Sequence, residues 1–403
     1  MRLCNINSLY LTGASEPRRF EHCVGVYHLA DLWTRARRLS SRDASVVRSA
    51  ALLHDLLTGP FGHSFQYVME DNPFEQRFEH ADLAGGVTSL WYQRARAAGS
   101  FAGRPFSVDA LLGERRADVS LAIAGKGPFG PLIAGTLDLD NLDNVVRLAF
   151  HMGLCDDRDR AVPRQLAPML TPLDGSLAAP AAALPLFERW FDIRRRLYEY
   201  LLLDRGEFAA KAMLTLAVER AAEKGLLGPD DWLRTDEGLL DYLENESVGE
   251  NQVVGQIIKR LRVGDLFECV DVWRTPNTQL YTELSGAAVK RTLETKIEAE
   301  LTKRGSQRHR ICIHYIMDNK KTCRSLSFRD LDAGREKVVG HDSRSLLVGA
   351  FVTNARTSSM TEQERRRVSA VVRTELVHAG LGELDHVPEP LGEPTTLGGL
   401  FAE

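Results

Sequence analysis

Residues 39–65 read LSSRDASVVRSAALLHDLLTGPFGHSF, and the fold follows from how this stretch is read. Ser40 and Ser41 offer hydroxyls that can cap a helix start. Val46, Val47, Ala50, Leu53 and Leu57 then recur at helical spacing until Gly59-Pro60 breaks the pattern. The spacing predicts a helix that carries His54 and Asp55 in its last turn. Upstream, FEHCVGVYHLADLWTRARR at 20–38 places Phe20, Val24, Tyr27, His28, Leu32 and Ala36 on one stripe of another helix, with His28 expected in the core. Downstream, Asn72-Pro73 opens a third helix that contains His80, with proline at a tolerated first-turn position. After a looser stretch at 99–131, LDLDNLDNVVRLAFHMGL at 137–154 predicts a fourth. Its apolar face is Leu142, Val145, Val146 and Ala149, and Asp140, Asn144, Arg147 and His151 share another face.

Beyond an expected irregular connection at 157–186, helical patterning returns at 186–225 and 235–267. The texture changes near 266. Short β-branched runs, FECVDVW at 267–273, RICIHYIMD at 310–318 and SLLVGAFVT at 345–353, alternate with helical segments at 289–305 and 361–380. The expected architecture is mainly α: a helical core over 1–265, a smaller α+β C-terminal lobe over 266–385, and a loosely held Pro/Gly-rich tail over 386–403.

The 403 residues include 51 basic and 55 acidic side chains, a net charge of -4. That balance gives no support to bulk nucleic-acid binding, and the arginine runs at 35–38, 194–196 and 365–367 read as solvated helix faces. No run approaches the roughly 18–20 apolar residues that cross a bilayer, and the start lacks a signal-peptide layout, so a cytoplasmic protein is expected. Six scattered cysteines without a CxxC pair argue against a zinc ribbon or a disulfide framework. GKGPFG at 125–130 lacks the spacing of a P-loop.

Five of the 11 histidines, His22, His28, His54, His63 and His80, lie in the first 80 residues. Two of them, with Asp55 and Asp140, make a mixed set: imidazoles from His22 and His54, carboxylates from the two aspartates. Such a set suits one divalent cation (Mn, Fe, Co, Zn, Ni or Mg) and leaves positions for water or a phosphate oxygen. His54 and Asp55 point about 100° apart on a helix, so they share an ion only if it sits over the edge between them, a position that the Gly59-Pro60 break near the helix end allows.

RRFEHCVGVYHLA at 18–30, ALLHDLLTGPFGHSF at 51–65, FEH at 78–80 and LDLDNLDNVVR at 137–147 resemble, in order, the motifs of the HD-domain phosphohydrolases, and most nearly the deoxynucleoside triphosphate triphosphohydrolase branch. TGAS at 12–15, LYEYLLLDRGEFAAKAML at 197–214 and the segment 241–270 follow that branch in spacing, so the likeness covers residues 9–270. The resemblance implies that His22, His54, Asp55 and Asp140 are metal ligands, that Arg19 contacts phosphate, that His63 lies near the phosphate and attacking water, and that His80 is a general acid. It also implies a nucleotide substrate and a homo-oligomer, dimer or tetramer.

The chain departs from the branch around the substrate. Thr58 and Gln66 replace a histidine and an acidic residue, and Asn141, Asn144 and Leu148 stand where lysine, tyrosine and aspartate serve phosphates and sugar. Arg194, near LYEY, is a further candidate for phosphate. The expected activity is metal-dependent hydrolysis of a (deoxy)nucleoside triphosphate to nucleoside and triphosphate. Two alternatives are a phosphatase releasing orthophosphate from a specialised nucleotide, and a non-catalytic nucleotide sensor.

Overall fold

The computed structural model describes residues 17–62, 65–66, 69, 111–135, 137–173, 176–246, 249, 252–305, 309–354 and 359–389. The fold is mainly α, with two four-stranded sheets. Two compact units do not divide the chain at a single point. One comprises Met1–Leu197, Met213–Asp265 and Lys320–Ser343; the other comprises Tyr198–Ala212, Leu266–Asn319 and Arg344–Glu403.

In the first unit, helix α1 spans Arg19–Ala36 and α2 spans Ser41–Leu53. Ser40 caps α2 as its sequence suggests, its hydroxyl accepting from the Asp43 N–H at 3.1 Å. The helix stops earlier than expected: His54 is its C-cap, and Asp55 lies in the following turn. There Leu56 and Thr58 donate to the carbonyls of Leu53 and Asp55, replacing the helical ladder with tighter turn bonds. Within the expected looser stretch, α3 forms at Arg116–Ile123, and α4 spans Leu139–His151. The carboxylate of Asp138 starts α4 by accepting from the Asn141 N–H at 2.6 Å.

The rotation of α1 differs from the expected stripe. Phe20, Val24 and Tyr27 are exposed, and so is His28, which is not a core residue. The buried face carries His22, Cys23, Val26, Leu29, Ala30 and Trp33. Both sides of α1 are apolar, so periodicity alone does not choose between them. Packing chooses: α1 lies against α2 and α4, and Val46, Val47 and Ala50 of α2 and Leu142, Val145 and Val146 of α4 are buried.

The expected irregular connection at 157–186 contains the antiparallel hairpin β1 (Thr171–Leu173) and β2 (Ser176–Ala179). Four long helices follow: α5 at Leu184–Leu203, α6 at Arg205–Glu223, α7 at Asp236–Asn245 and α8 at Gln252–Arg262.

The second unit holds an antiparallel sheet. Its strands are β3 (Glu268–Thr275), β4 (Ile311–Asn319), β7 (Arg344–Val352) and β8 (Asp385–His386), in the order β4-β7-β3-β8. In the first unit, β5 (Leu326–Asp330) and β6 (Glu336–Val339) extend the first hairpin, with β2 and β5 parallel. The central β7 is buried along eight of its nine residues, so it reads as an apolar run without alternation. Helices α9 (Ala287–Lys303) and α10 (Glu362–Leu376) bury Leu293, Ile297, Val368 and Val372 in one cluster with Ile311, Leu346 and Val348. β8 holds the start of the expected tail: Val387 is buried, and its N–H donates to the Val272 carbonyl at 2.9 Å. The five described cysteines are free thiols, and among the described residues no helix is long and apolar enough to cross a membrane.

His314 on β4 packs edge-on to Phe208, with ring centroids 5.8 Å apart. Removal from water, and then the charges of Lys290 and Lys211, push its imidazole well below the usual histidine range. The unfolded chain therefore binds the proton more readily, so this histidine's stabilising contribution is complete above about pH 6.5 and declines as pH falls below that value. Between pH 7 and 5 the wild type is expected to lose more stability than His314→Phe in urea unfolding. Equal losses would contradict the assignment.

Candidate metal centre

Three helical segments of the first unit converge on one point. His22 comes from the buried face of α1, His54 from the C-cap of α2 and Asp140 from the first turn of α4. The His22 and His54 Nε2 atoms are 3.2 Å apart. The Asp140 Oδ1 lies 2.9 Å from the first and 3.6 Å from the second. Among the described residues, these three form a group able to share one ion.

Asp55 stands beside the group. Its Oδ2 is 3.9 Å from His54 Nε2 and pairs closely with the Arg19 guanidinium, while its Oδ1 accepts from the Thr58 hydroxyl at 2.9 Å. Burial acts to raise the Asp55 carboxyl, but Arg19 and then His54 outweigh it and hold it down at about 2. Arg19, one turn before His22 on α1, thus has a carboxylate as its partner.

The loop after His54 has its own supports. A side chain at Gly59 would meet the indole of Trp232 at 2.7 Å, and one at Gly62 would meet the Arg19 guanidinium at 2.6 Å. Gly62 also has φ of +56°, and Phe61 before it has φ of +54°. That costly conformation at Phe61 is anchored by its N–H donating to Asp236 Oδ1 at 2.8 Å. Trp232 donates to the Leu57 carbonyl at 2.9 Å. The two glycines of GPFG therefore let the loop close against Trp232 and Arg19.

The remaining candidates are distributed. Thr58 is buried and serves Asp55. Gln66 is half-buried and donates its N–H to the Gly62 carbonyl. Asn141 directs its amide to Asp138 at 2.9 Å. Asn144 lies one turn beyond Asp140, with a buried Oδ1 that has no hydrogen-bond partner among the described residues. Arg194 is buried on α5, over the Trp190 ring and donating to the Lys320 carbonyl at 3.1 Å. His63 and His80 lie outside the described residues, as does the helix expected from Pro73.

Three side chains beside the cluster carry no ligand spacing in the sequence. Asp143 accepts from His22 Nδ1 at 2.8 Å and pairs with Arg147 through two hydrogen bonds of 2.8 and 2.9 Å. Asp138 is buried beneath the cluster, and burial, followed by the Asp140 charge, pushes its carboxyl up to about 7. LDLDNLDNVVR displays an Asp–Arg pair four residues apart at 143 and 147, and that spacing was the available signal.

The hydrogen bonds around the two imidazoles fit a cation. His22 Nδ1 faces a carboxylate, and His54 Nδ1 faces the Ala51 carbonyl at 2.8 Å. Both acceptors call for a proton on Nδ1, so each neutral ring turns an Nε2 lone pair inward. Among the described residues, two such lone pairs and the Asp140 oxygen then crowd one point without a donor, an arrangement that a cation relieves. A proton is the other remedy. Burial acts to lower His22, but hydrogen bonds and charge from Asp140 and Asp143 raise it to about 9, and Asp140 is held far below the usual carboxylate range by the same imidazoles.

The HD-domain family model matches residues 19–91. The chain is 22% identical over 317 residues to the uncharacterized protein YwfO of Bacillus subtilis, covering 70% of this chain and 68% of that one. It is 22% identical over 273 residues to a Dictyostelium discoideum deoxynucleoside triphosphate triphosphohydrolase SAMHD1 homolog. That match covers 63% of this chain and 51% of the relative, about half its length. The crystal structure of a phosphohydrolase from Bacteroides thetaiotaomicron has a similar fold, with a TM-score of 0.60 and 16% identity over 88% of this chain and 92% of that one. The family match opens at Arg19, the first residue of α1, so residues 19–91 carry the HD domain.

Proposed function

We propose that the protein hydrolyses a (deoxy)nucleoside triphosphate to nucleoside and triphosphate, using one divalent cation held by His22, His54 and Asp140 with Asp55 beside them. The observation that carries this reading is the convergence of two imidazole Nε2 atoms and a carboxylate oxygen within 3.6 Å of one another. When bound, the cation supplies positive charge to a phosphate oxygen and acidity to a water molecule. Arg19 adds a guanidinium whose fork suits phosphate, and it can exchange its bond to Asp55 for one to the substrate. Thr58 keeps Asp55 oriented during that exchange. His80 is the proposed proton donor to the leaving oxygen, with His63 beside the phosphate. The relationship to the Dictyostelium relative, named as a triphosphohydrolase homolog, supports the substrate class.

The test is incubation of the metal-loaded protein with a panel of nucleoside and deoxynucleoside triphosphates, followed by separation of products. Nucleoside and triphosphate are expected. Orthophosphate in their place would move the attack to the terminal phosphorus, and binding without any product would leave only a sensing role. His80→Ala is expected to retain the cation and slow turnover by about 10²–10⁴-fold, the range for a lost general acid. Full activity of this variant at neutral pH would remove His80 from the mechanism.

A further inference from the structure

We propose that Asp143, clamped by Arg147, is a positioning residue: it fixes the His22 ring so that Nε2 faces the cation site, and α1 carries Gly25 so that this clamp fits. The inference rests on the cation reading above.

The two histidines reach their orientation by different means. His54 sits at the C-cap of α2 and satisfies its Nδ1 on the Ala51 carbonyl of its own chain turn. His22 lies near the start of the 18-residue α1, whose carbonyls are engaged along the helix, so its Nδ1 needs an acceptor from elsewhere. Helix α4 supplies one. Asp140 and Asp143, three residues apart on that helix, stand at opposite edges of the same ring, 2.9 Å from Nε2 and 2.8 Å from Nδ1.

A lone carboxylate could still swing away from the ring. Arg147, one turn further along α4, prevents this by donating Nε to Asp143 Oδ2 and Nη2 to Asp143 Oδ1. Such a two-bond fork fixes the plane of the carboxylate as well as its position. The carboxylate in turn makes the far ring nitrogen a more basic ligand.

The clamp needs room on α1. A Cβ at Gly25 would stand 2.1 Å from Asp143 Oδ1 and 2.2 Å from Arg147 Nη2. Glycine inside a helix is destabilising relative to alanine. At this position the missing side chain is what lets the Asp143–Arg147 pair lie against α1 one turn from His22.

The test compares wild type, Asp143→Ala and Arg147→Gln in the full chain. Zn²⁺ affinity is measured by competition with a chelator, and the His22 tautomer by ¹⁵N magnetic resonance, with His22→Gln assigning the signal. In the wild type, Nδ1 is expected to carry the proton. Asp143→Ala is expected to lose about 10–100-fold in Zn²⁺ affinity, the range for removing a partner of a metal-bound histidine, and to give a mixed tautomer. Arg147→Gln keeps the carboxylate but releases it, and a smaller affinity loss with a partly mixed tautomer is expected; this variant decides the matter if Asp143→Ala does not fold. A purely structural role would lower the unfolding midpoint and leave the tautomer unchanged. Wild-type affinity and tautomer in the folded variants would overturn the positioning role alone, whereas a wild type that binds neither Zn²⁺ nor Mn²⁺ would overturn the cation reading and this inference with it.

Discussion

Asp140→Ala is expected to reduce turnover by on the order of 10³-fold or more, with loss of tight cation binding. Asp140 is the carboxylate shared by both imidazoles, at 2.9 and 3.6 Å. Without it, two inward-facing Nε2 atoms remain 3.2 Å apart with no anion between them. Asp140→Asn makes a sharper variant. Its amide can donate to an imidazole lone pair, so the fold survives, while the charge that balances a divalent cation is gone. Both variants are therefore expected to be inactive, the asparagine form at near wild-type stability. Steady-state turnover and metal content after gel filtration check this, and an Asp140→Ala protein that keeps both would break the ligand set.

Trp232→Ala is expected to be the most destabilising single change in the first unit, by about 3–5 kcal/mol. The indole is 2% exposed and stacks on Phe65 with ring centroids 6.0 Å apart. It also donates to the Leu57 carbonyl and fills the space that Gly59 leaves open. The last two contacts hold the loop running from His54 to Gly62, so metal affinity is expected to fall together with stability. Trp232→Phe keeps most of the ring but removes the donor, which costs about 1–3 kcal/mol for an unmatched buried carbonyl. Urea unfolding and a metal titration on the two variants separate these effects. A Trp232→Ala protein of unchanged midpoint would show that the loop is held by something else.

Much of this arrangement can be read from local pattern. Ser40 and Asp138 mark helix starts because their side chains compete for free N–H groups at a helix end, and both do so in the structure. The β-branched runs became β3, β4 and β7. His22, His54 and Asp140 come together because each sits near a helix terminus or on a buried helix face.

What stayed hidden depends on tertiary context. Which side of α1 is buried was set by its packing on α2 and α4, and no periodicity could rank two apolar sides. The strands β2 and β5 pair in parallel through Ala178 with Arg329 and Ala179 with Asp330, a link across about 150 residues that leaves no local trace. Ligand spacing points to side chains that touch the ion, whereas Asp143 meets the far nitrogen of a candidate ligand. Departures from the family pattern also find local roles: Thr58 holds Asp55, and Asn141 supports the α4 cap.

The most direct test of the cation site is calorimetric titration of Mn²⁺ into metal-stripped protein at neutral pH, wild type beside His22→Ala and His54→Ala. One tightly bound ion per chain is expected in the wild type and none in either variant. A wild type that binds no divalent ion, or variants that bind it as tightly as the wild type, would contradict the cation site.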